Sequence, residues 1–140
     1  MTDHGIVDAN IFLRHLTREP EDQAEAATTF LRSLAGEAQS AVLLPTVVLE
    51  IVFILERQYN ADRPDVYDAL QEVLRINGLN VEHHLQLLDA CETYRMRRGV
   101  SFADAYHCAM ARDFHGGSIV SFDRKLNGLP GVNRKDPDEV

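Results

Sequence analysis

The 140-residue sequence predicts an α/β fold: a mainly parallel sheet with helices covering both faces. Short apolar runs of strand length alternate with helical patterns along the chain, which is typical of this class. The length suits one domain, and no repeat, linker or low-complexity tract interrupts the pattern. We therefore expect one domain spanning residues 1–140.

Four strands and six helices are predicted from apolar periodicity and from start and stop signals. The predicted strands are residues 5–9, 40–44, 79–81 and 118–121. The predicted helices are residues 10–16, 21–34, 46–59, 64–76, 84–98 and 101–114. Pro20, Pro45 and Pro64 open three of these helices, as proline does at a first helical position. Helix 46–59 is apolar on nearly every side and is expected to be buried, and the chain beyond Asp123 is expected to be irregular.

The charge balance excludes one way of binding nucleic acid. Lys and Arg total 14 against 22 Asp and Glu, giving a net charge of -8, so the chain does not hold nucleic acid simply by being basic. A nucleic-acid enzyme that carries metal ions stays open, because bound cations invert the local field. Cys91 and Cys108 are the only cysteines and are expected to be buried thiols. With no leader or membrane-length apolar run in the sequence, we expect a cytoplasmic protein.

Two aspartates coincide with the ends of predicted strands. Asp8 ends the first apolar run, and Asp123 lies just past residues 118–121. If these strands are parallel neighbours near the sheet centre, right-handed crossovers place both carboxylates at one edge, where ligands bind in open α/β sheets. Either residue alone is explained equally well as an Asx turn or a helix N-cap.

Glu50 interrupts the longest apolar run of the chain. An unpaired buried carboxylate costs several kcal/mol or becomes neutral. No Lys or Arg lies three or four residues away, and Arg57 is the nearest, seven positions along. Glu50 is therefore expected to face a tertiary cation, the mouth of a pocket or a metal ion, unless it occupies a narrow polar window near the helix start.

Asp104 follows Ser101 by three residues, which is the spacing of a capping box with Asp in place of the usual Glu. Taken alone, this pattern favours a cap. Helix N-termini also suit anionic groups, so a cap does not exclude a ligand role.

The four acids taken together predict a divalent metal site. Two lie at strand ends and two lie in helix N-terminal regions, all expected at one rim of the sheet. Four carboxylates at close range repel each other unless a cation lies between them. Oxygen ligands without interleaved His or Cys favour Mg²⁺ or Mn²⁺ over Zn²⁺. Carboxylate-bound Mg²⁺ with substrate phosphate is an arrangement for phosphodiester hydrolysis.

Four short motifs occur in order between residues 6 and 133. They are IVDANIFLR (6–14), TVVLE (46–50), FADAYHCA (102–109) and IVSFDRK (119–125). In order and spacing the chain resembles the PIN-domain ribonucleases of the VapC-like type, the toxins of bacterial type II toxin–antitoxin pairs.

This resemblance implies a PIN-like three-layer α/β/α sandwich and a Mg²⁺-dependent endoribonuclease. The implied catalytic and metal-binding residues are Asp8, Glu50, Asp104 and Asp123. Polar residues implied to orient the carboxylates or waters are Asn10, Thr46 and Ser121. The resemblance also implies a homodimer and a cognate antitoxin protein that wraps the toxin and blocks its site.

RNA binding by this acidic chain requires local basic residues. The candidates for a basic rim are Arg14, Arg95, Arg97, Arg98, Arg124 and Lys125. Arg124 and Lys125 directly follow Asp123, whereas the arginines at 95, 97 and 98 are explained equally well by a helix C-terminus. Single-stranded or looped RNA is preferred as substrate, because a flexible strand bends into a metal cleft.

Other functional classes share part of this pattern. A haloacid-dehalogenase-type phosphatase carries a second acid two residues after its first, where this chain has Asn10. A phospho-acceptor receiver domain needs a lysine after its last strand, and Lys125 fits poorly. A PIN-like module that binds a partner without cutting stays open, and a requirement for Mg²⁺ or Mn²⁺ separates it from the nuclease.

Overall fold

The computed structural model describes residues 3–37 and 40–140. Its helices are α1 (Ala9–Thr17), α2 (Glu21–Ser33), α3 (Pro45–Arg57), α4 (Arg63–Leu74), α5 (His84–Met96) and α6 (Phe102–Phe114). Its strands are β1 (Gly5–Ile6), β2 (Ala41–Leu43), β3 (Leu79–Val81), β4 (Ser118–Val120) and β5 (Asn133–Lys135). None of the helices in this described part of the chain is long and apolar enough to cross a membrane. The internal contacts divide the chain into two compact units, Met1–His84 and Leu85–Val140.

The first unit contains a three-stranded parallel sheet with β2 in the centre. Helices α1 and α2 connect β1 to β2, and α3 and α4 connect β2 to β3, because parallel strands need crossover connections. All three strands therefore end at the same edge. The prediction of an α/β fold built on parallel strands is confirmed.

Apolar faces of the helices form the core of the first unit. Helix α1 packs against α2 and α3, and Phe12 and Leu13 of α1 are fully buried. Ile51 of α3 and Leu70 of α4 are also fully buried. Burial of each such side chain stabilises the fold by about 1.5–3 kcal/mol, so these helices hold the strand ends in place.

The second unit pairs β4 with β5 in parallel and packs α6 against β4. Tyr94 of α5 is fully buried and meets the ring of Phe102 edge-on, with 5.7 Å between the centroids. This aromatic pair joins α5 to the start of α6, the helix that carries Asp104.

The chain beyond Asp123 is more regular than its sequence indicates. Residues Arg124–Gly128 form a 3₁₀ helix, and Asn133–Lys135 forms β5. The prediction of an irregular tail is wrong because β5 contains no apolar residue, so periodicity cannot reveal it. Its regularity comes from main-chain hydrogen bonding along β4.

Arg134 ties this terminal segment together. Its guanidinium donates to the carbonyl of Ser121 at the end of β4, to Oδ1 of Asn127 at 2.7 Å and to Oδ1 of Asp136 at 2.8 Å. Only 6% of the Arg134 side chain is exposed. Buried charge-assisted hydrogen bonds of this kind are stronger than neutral ones, so one side chain fixes both ends of the 121–128 segment.

Helix α3 is more exposed than predicted. One face consists of exposed residues three or four positions apart: Thr46, Glu50, Phe53 and Arg57. The Arg57 guanidinium lies 5.4 Å from the centroid of the Phe53 ring. The prediction that this helix is buried on nearly every side is therefore wrong. Its apolar composition did not reveal that Phe53 faces outward beside Glu50.

We predict that Gly117→Ala destabilises the protein more than Gly116→Ala. Both glycines have positive φ, +83° and +61°, and a left-handed alanine costs about 1–2 kcal/mol. A methyl group at Gly117 would also lie 2.0 Å from the carbonyl oxygen of Gly131, whereas nothing lies within 4 Å at Gly116. Urea unfolding measures both variants; equal losses would show that the contact next to the β4–β5 pair is not tight.

We also predict that Asp136 stabilises the protein only where it is ionised. The hydrogen bond from Arg134 holds the pKa of Asp136 below its ordinary value of 3.8. This contribution is complete well above pH 3.8 and is lost as the pH falls through the lowered pKa. Urea unfolding at neutral and acidic pH should show Asp136→Asn less stable than wild type at neutral pH, with the gap closing in acid. A pH-independent gap would contradict this assignment.

Candidate functional site

Asp8 is the N-cap of α1. Its backbone is extended, with φ -73° and ψ 153°, and its carboxylate accepts from the Asn10 N–H at 3.3 Å. The helix predicted over residues 10–16 begins one residue earlier, at Ala9. Among the described residues of the first unit, no other hydrogen bond reaches this carboxylate. Asp8 is exposed, so its second oxygen is available to a ligand.

Glu50 lies in the second turn of α3, on the exposed face of that helix, four residues after Thr46. No hydrogen bond or ion pair joins its carboxylate to another described residue of the first unit. The expectation that a buried Glu50 needs a cation is therefore wrong in its premise. The carboxylate instead stands unpaired on a surface, as does the Thr46 hydroxyl on the same face.

Asp8 and Glu50 follow neighbouring strands. Asp8 comes two residues after β1, and α3 begins two residues after β2. The strands pair in parallel, and the Val7 N–H continues the ladder by donating to Val42 at 2.9 Å. Helix α1 packs against α3. The first unit therefore contributes both acids from the carboxyl edge of one sheet.

Asp104 lies in the first turn of α6. Ser101 is the N-cap, and its hydroxyl accepts from the Asp104 N–H at 3.1 Å. The predicted cap at Ser101 is confirmed. Within the described second unit, the Asp104 carboxylate does not return a hydrogen bond to Ser101, so only half of the capping box forms. The carboxylate is half-buried and not occupied in capping.

Asp123 caps the 3₁₀ helix that follows β4. Its carboxylate accepts from the Lys125 N–H at 3.0 Å, and its own N–H donates to the Ser121 hydroxyl at 3.0 Å. The Ser121 hydroxyl thus helps to fix the backbone conformation at Asp123. As with Asp8, one oxygen serves the helix and the other receives no hydrogen bond from the described residues of its unit.

A cleft of about 420 Å³ runs between α6 and β4. Asp104 and Ser121 line one end, His115 and Ser118 line the other, and His107 lies along the helix side. The position follows from the packing of α6 on β4, which brings the start of the helix to the end of the strand. The second unit therefore has space beside Asp104.

Asn10 and Arg14 lie one helical turn apart on α1 and line a small pocket with residues of α2. The Nε of Arg14 donates to Oε1 of Gln23 at 2.8 Å, which fixes the guanidinium against α2. Arg124 and Lys125 begin the 3₁₀ helix and are exposed. The three basic residues predicted to contact RNA are thus divided between the two units.

Sequence reasoning did not find Arg134, which positions the segment carrying Asp123. The sequence gives little indication of this role, because an arginine in a polar C-terminal segment is common. A nearby acidic group, Asp136 with Asp138 and Glu139, has a structural explanation. It forms a capping box on a 3₁₀ turn and pairs with Arg134.

The two cysteines are buried thiols, as predicted. Burial raises the pKa of the Cys108 thiol. A protonated, enclosed thiol is a poor nucleophile and a poor metal ligand, so the chemistry of the site falls to oxygen atoms.

The predicted acids thus form two pairs, Asp8 with Glu50 in the first unit and Asp104 with Asp123 in the second. In each unit they lie where strands end and helices begin, exposed or half-buried, with carboxylate oxygens left over. The meeting of the two pairs in one centre stays a prediction.

Comparison with known proteins identifies the family. The model of the PIN domain matches residues 5–132, which span both units. The chain is also 27% identical over 124 residues to a protein named VapC ribonuclease from Aquifex aeolicus (strain VF5), covering 89% of this chain and 90% of that protein. The four acids and their helix caps all fall within the matched region, and the chain belongs to the PIN-domain family.

Proposed function

We propose that this protein is a Mg²⁺-dependent endoribonuclease and the toxin of a toxin–antitoxin pair. Membership of the PIN-domain family and similarity to a VapC ribonuclease over most of the chain support nuclease activity. The observation that carries the proposal is the state of the acids. Each of Asp8, Glu50, Asp104 and Asp123 has a carboxylate oxygen that receives no hydrogen bond from the described residues of its own unit.

The donor set fits a hard divalent cation. The carboxylates of Asp8 and Asp123 each accept one helix N–H with one oxygen. Those of Glu50 and Asp104 make no hydrogen bond to the residues described for their units. Oxygen-only donors suit Mg²⁺, with Mn²⁺ as an alternative. Asp8, Asp104, Asp123 and Glu50 would hold the ion, which when bound lowers the pKa of a water and neutralises phosphate charge.

The protein's own side chains contribute the positioning of the acids and of water. The caps at Asp8 and Asp123 fix each carboxylate on a rigid helix start, which pre-organises the acids before substrate arrives. Asn10, Thr46 and Ser121 stand beside these acids and orient carboxylates or waters. Water attack on the scissile phosphate would leave a 5′-phosphate and a 3′-hydroxyl.

RNA, an antitoxin and a second copy of the chain are the proposed partners. Similarity to the VapC ribonuclease supports the RNA and the antitoxin. A cytoplasmic location is proposed on the same similarity.

A PIN-like binding module that does not cleave RNA is the second candidate. Metal-dependent cleavage separates the two functions directly.

We predict that Asp8→Asn abolishes RNA cleavage in Mg²⁺ while the protein stays folded. Asn caps a helix as well as Asp does, so α1 keeps its first turn and only the charge is lost. The assay is cleavage of defined RNAs with Mg²⁺ and with EDTA, with mapping of the new ends. Glu50→Gln, Asp104→Asn and Asp123→Asn should behave alike.

The matched control is Asp22→Asn, which removes an exposed acid from the first turn of α2. It should cleave like wild type. Undiminished cleavage by Asp8→Asn would remove that residue from the mechanism, and wild-type cleavage in EDTA would remove the metal.

We further predict that Mg²⁺ stabilises the wild-type protein. At 100-fold excess over the Kd, binding to the folded state adds about 2.7 kcal/mol to the free energy of unfolding. Asp104→Asn should gain less. Without metal it should melt at or above the wild-type temperature, because a like charge is relieved and the Ser101 cap is untouched. Equal gains in wild type, Asp104→Asn and Asp22→Asn would contradict a site at these acids.

A further inference from the structure

The second unit carries a dense basic patch within an acidic chain. Residues 95–99 (RMRRG) and 124–128 (RKLNG) hold five of the 14 basic residues and no acid. Because the Arg95 guanidinium pairs with Glu92 at 2.9 Å, we define the basic ridge as the other four residues, Arg97, Arg98, Arg124 and Lys125. The rest of the chain is correspondingly more acidic, so the patch is a local exception.

The structure brings the two segments of the ridge together. A methyl group built on Gly99 would lie 3.3 Å from Cδ of Lys125, so the stem of Lys125 runs over this glycine. A methyl group on Gly128 would lie 3.7 Å from Nη1 of Arg97. Arg97 therefore does more than complement the C-terminus of α5, because its guanidinium lies beside the segment that Asp123 caps.

Phe122 precedes the Arg124 and Lys125 part of the ridge by two residues in the chain. It stands between Ser121 and Asp123, and 79% of it is exposed, the largest fraction among the exposed apolar side chains of the described residues. Single exposed apolar residues are common, so exposure alone carries nothing. The position is what matters, because Arg134 holds the carbonyl of Ser121 on one side and the Asp123 cap fixes the other.

We infer that the basic ridge and Phe122 form a binding track for single-stranded RNA beside the cleavage site. The ridge contacts backbone phosphates, and the Phe122 ring stacks on a base next to the scissile bond. A cationic surface combined with an exposed aromatic ring is how sequence-tolerant single-strand binders work. This inference rests on the proposed function and adds to it a stacking residue, Phe122, and a phosphate-binding surface built from two segments of the second unit.

An acidic segment of a partner protein would also be attracted to the ridge. The exposed Phe122 ring favours RNA over an acidic protein segment, because the ring can stack on the face of any base. The rigid attachment of residues 121–123 also favours RNA, because a fixed platform sets the position of a base relative to Asp123.

The first test measures RNA affinity without cleavage. A short fluorescent single-stranded RNA of mixed sequence is titrated with the full-length protein in EDTA, by anisotropy. Phe122→Leu should weaken binding by about 5- to 150-fold, the range of base–aromatic stacking, and Phe122→Tyr should restore it. Phe114→Leu, a second exposed aromatic of the same unit, should bind like wild type.

The second test is the salt dependence of binding. Arg98→Ala combined with Lys125→Ala should reduce the slope of log affinity against log salt by about 1.4, since each single-strand phosphate contact contributes about 0.7. The matched control is Arg32→Ala combined with Arg75→Ala, two exposed arginines of the first unit. The control has the same net charge and should keep the wild-type slope.

The outcomes separate the inference from the proposed function. Equal slopes in both double variants, or equal binding by Phe122→Leu and wild type, overturn the track even if Mg²⁺-dependent cleavage is found. Selective loss of poly-glutamate binding in the ridge variant, with RNA binding unchanged, overturns it in favour of a protein partner. The expected losses without any metal-dependent cleavage support the track and overturn the proposed nuclease.

Discussion

The organisation of this protein depends on aspartates that end a strand and begin a helix. At Asp8 and again at Asp123, one carboxylate oxygen accepts the N–H two residues ahead. Such a bond is worth about 1 kcal/mol and fixes the side chain in one orientation. Because a carboxylate has two oxygens, this structural duty leaves a second oxygen for chemistry. Stability and the proposed function therefore use the same residues without competing for the same atoms.

Most of the secondary structure could be predicted because its signals are local. Pro45 opens α3, Ser101 caps α6, and the strand runs were found to within one to three residues. The features that sequence reasoning missed depend on tertiary neighbours. Strand β5 is polar and exists through its pairing with β4, and the outward face of α3 depends on which helices pack against it.

The places of the candidate acids in the fold were predictable to a similar degree. Asp8, Asp104 and Asp123 could be named because each occurs where a strand ends or a helix begins, and Glu50 because it interrupts an apolar run. The family match covers all four positions. Their immediate surroundings could not be named. Glu50 was expected to be buried but lies exposed, and Asp104 forms only half of the box its spacing indicates. Spacing gives positions along a helix, whereas exposure depends on packing from distant parts of the chain.

Arg134 determines whether a molecule that keeps all four acids also keeps its site segment in place. A single guanidinium clamps the end of β4, the following 3₁₀ turn and Asp136. A protease that clipped the backbone between residues 128 and 133 and released the downstream piece would spare all four acids. It would nevertheless remove the Arg134 hydrogen bonds that hold the segment carrying Asp123. For a nuclease of this kind, a test of integrity that looked only for the four acids would count such a clipped molecule as intact.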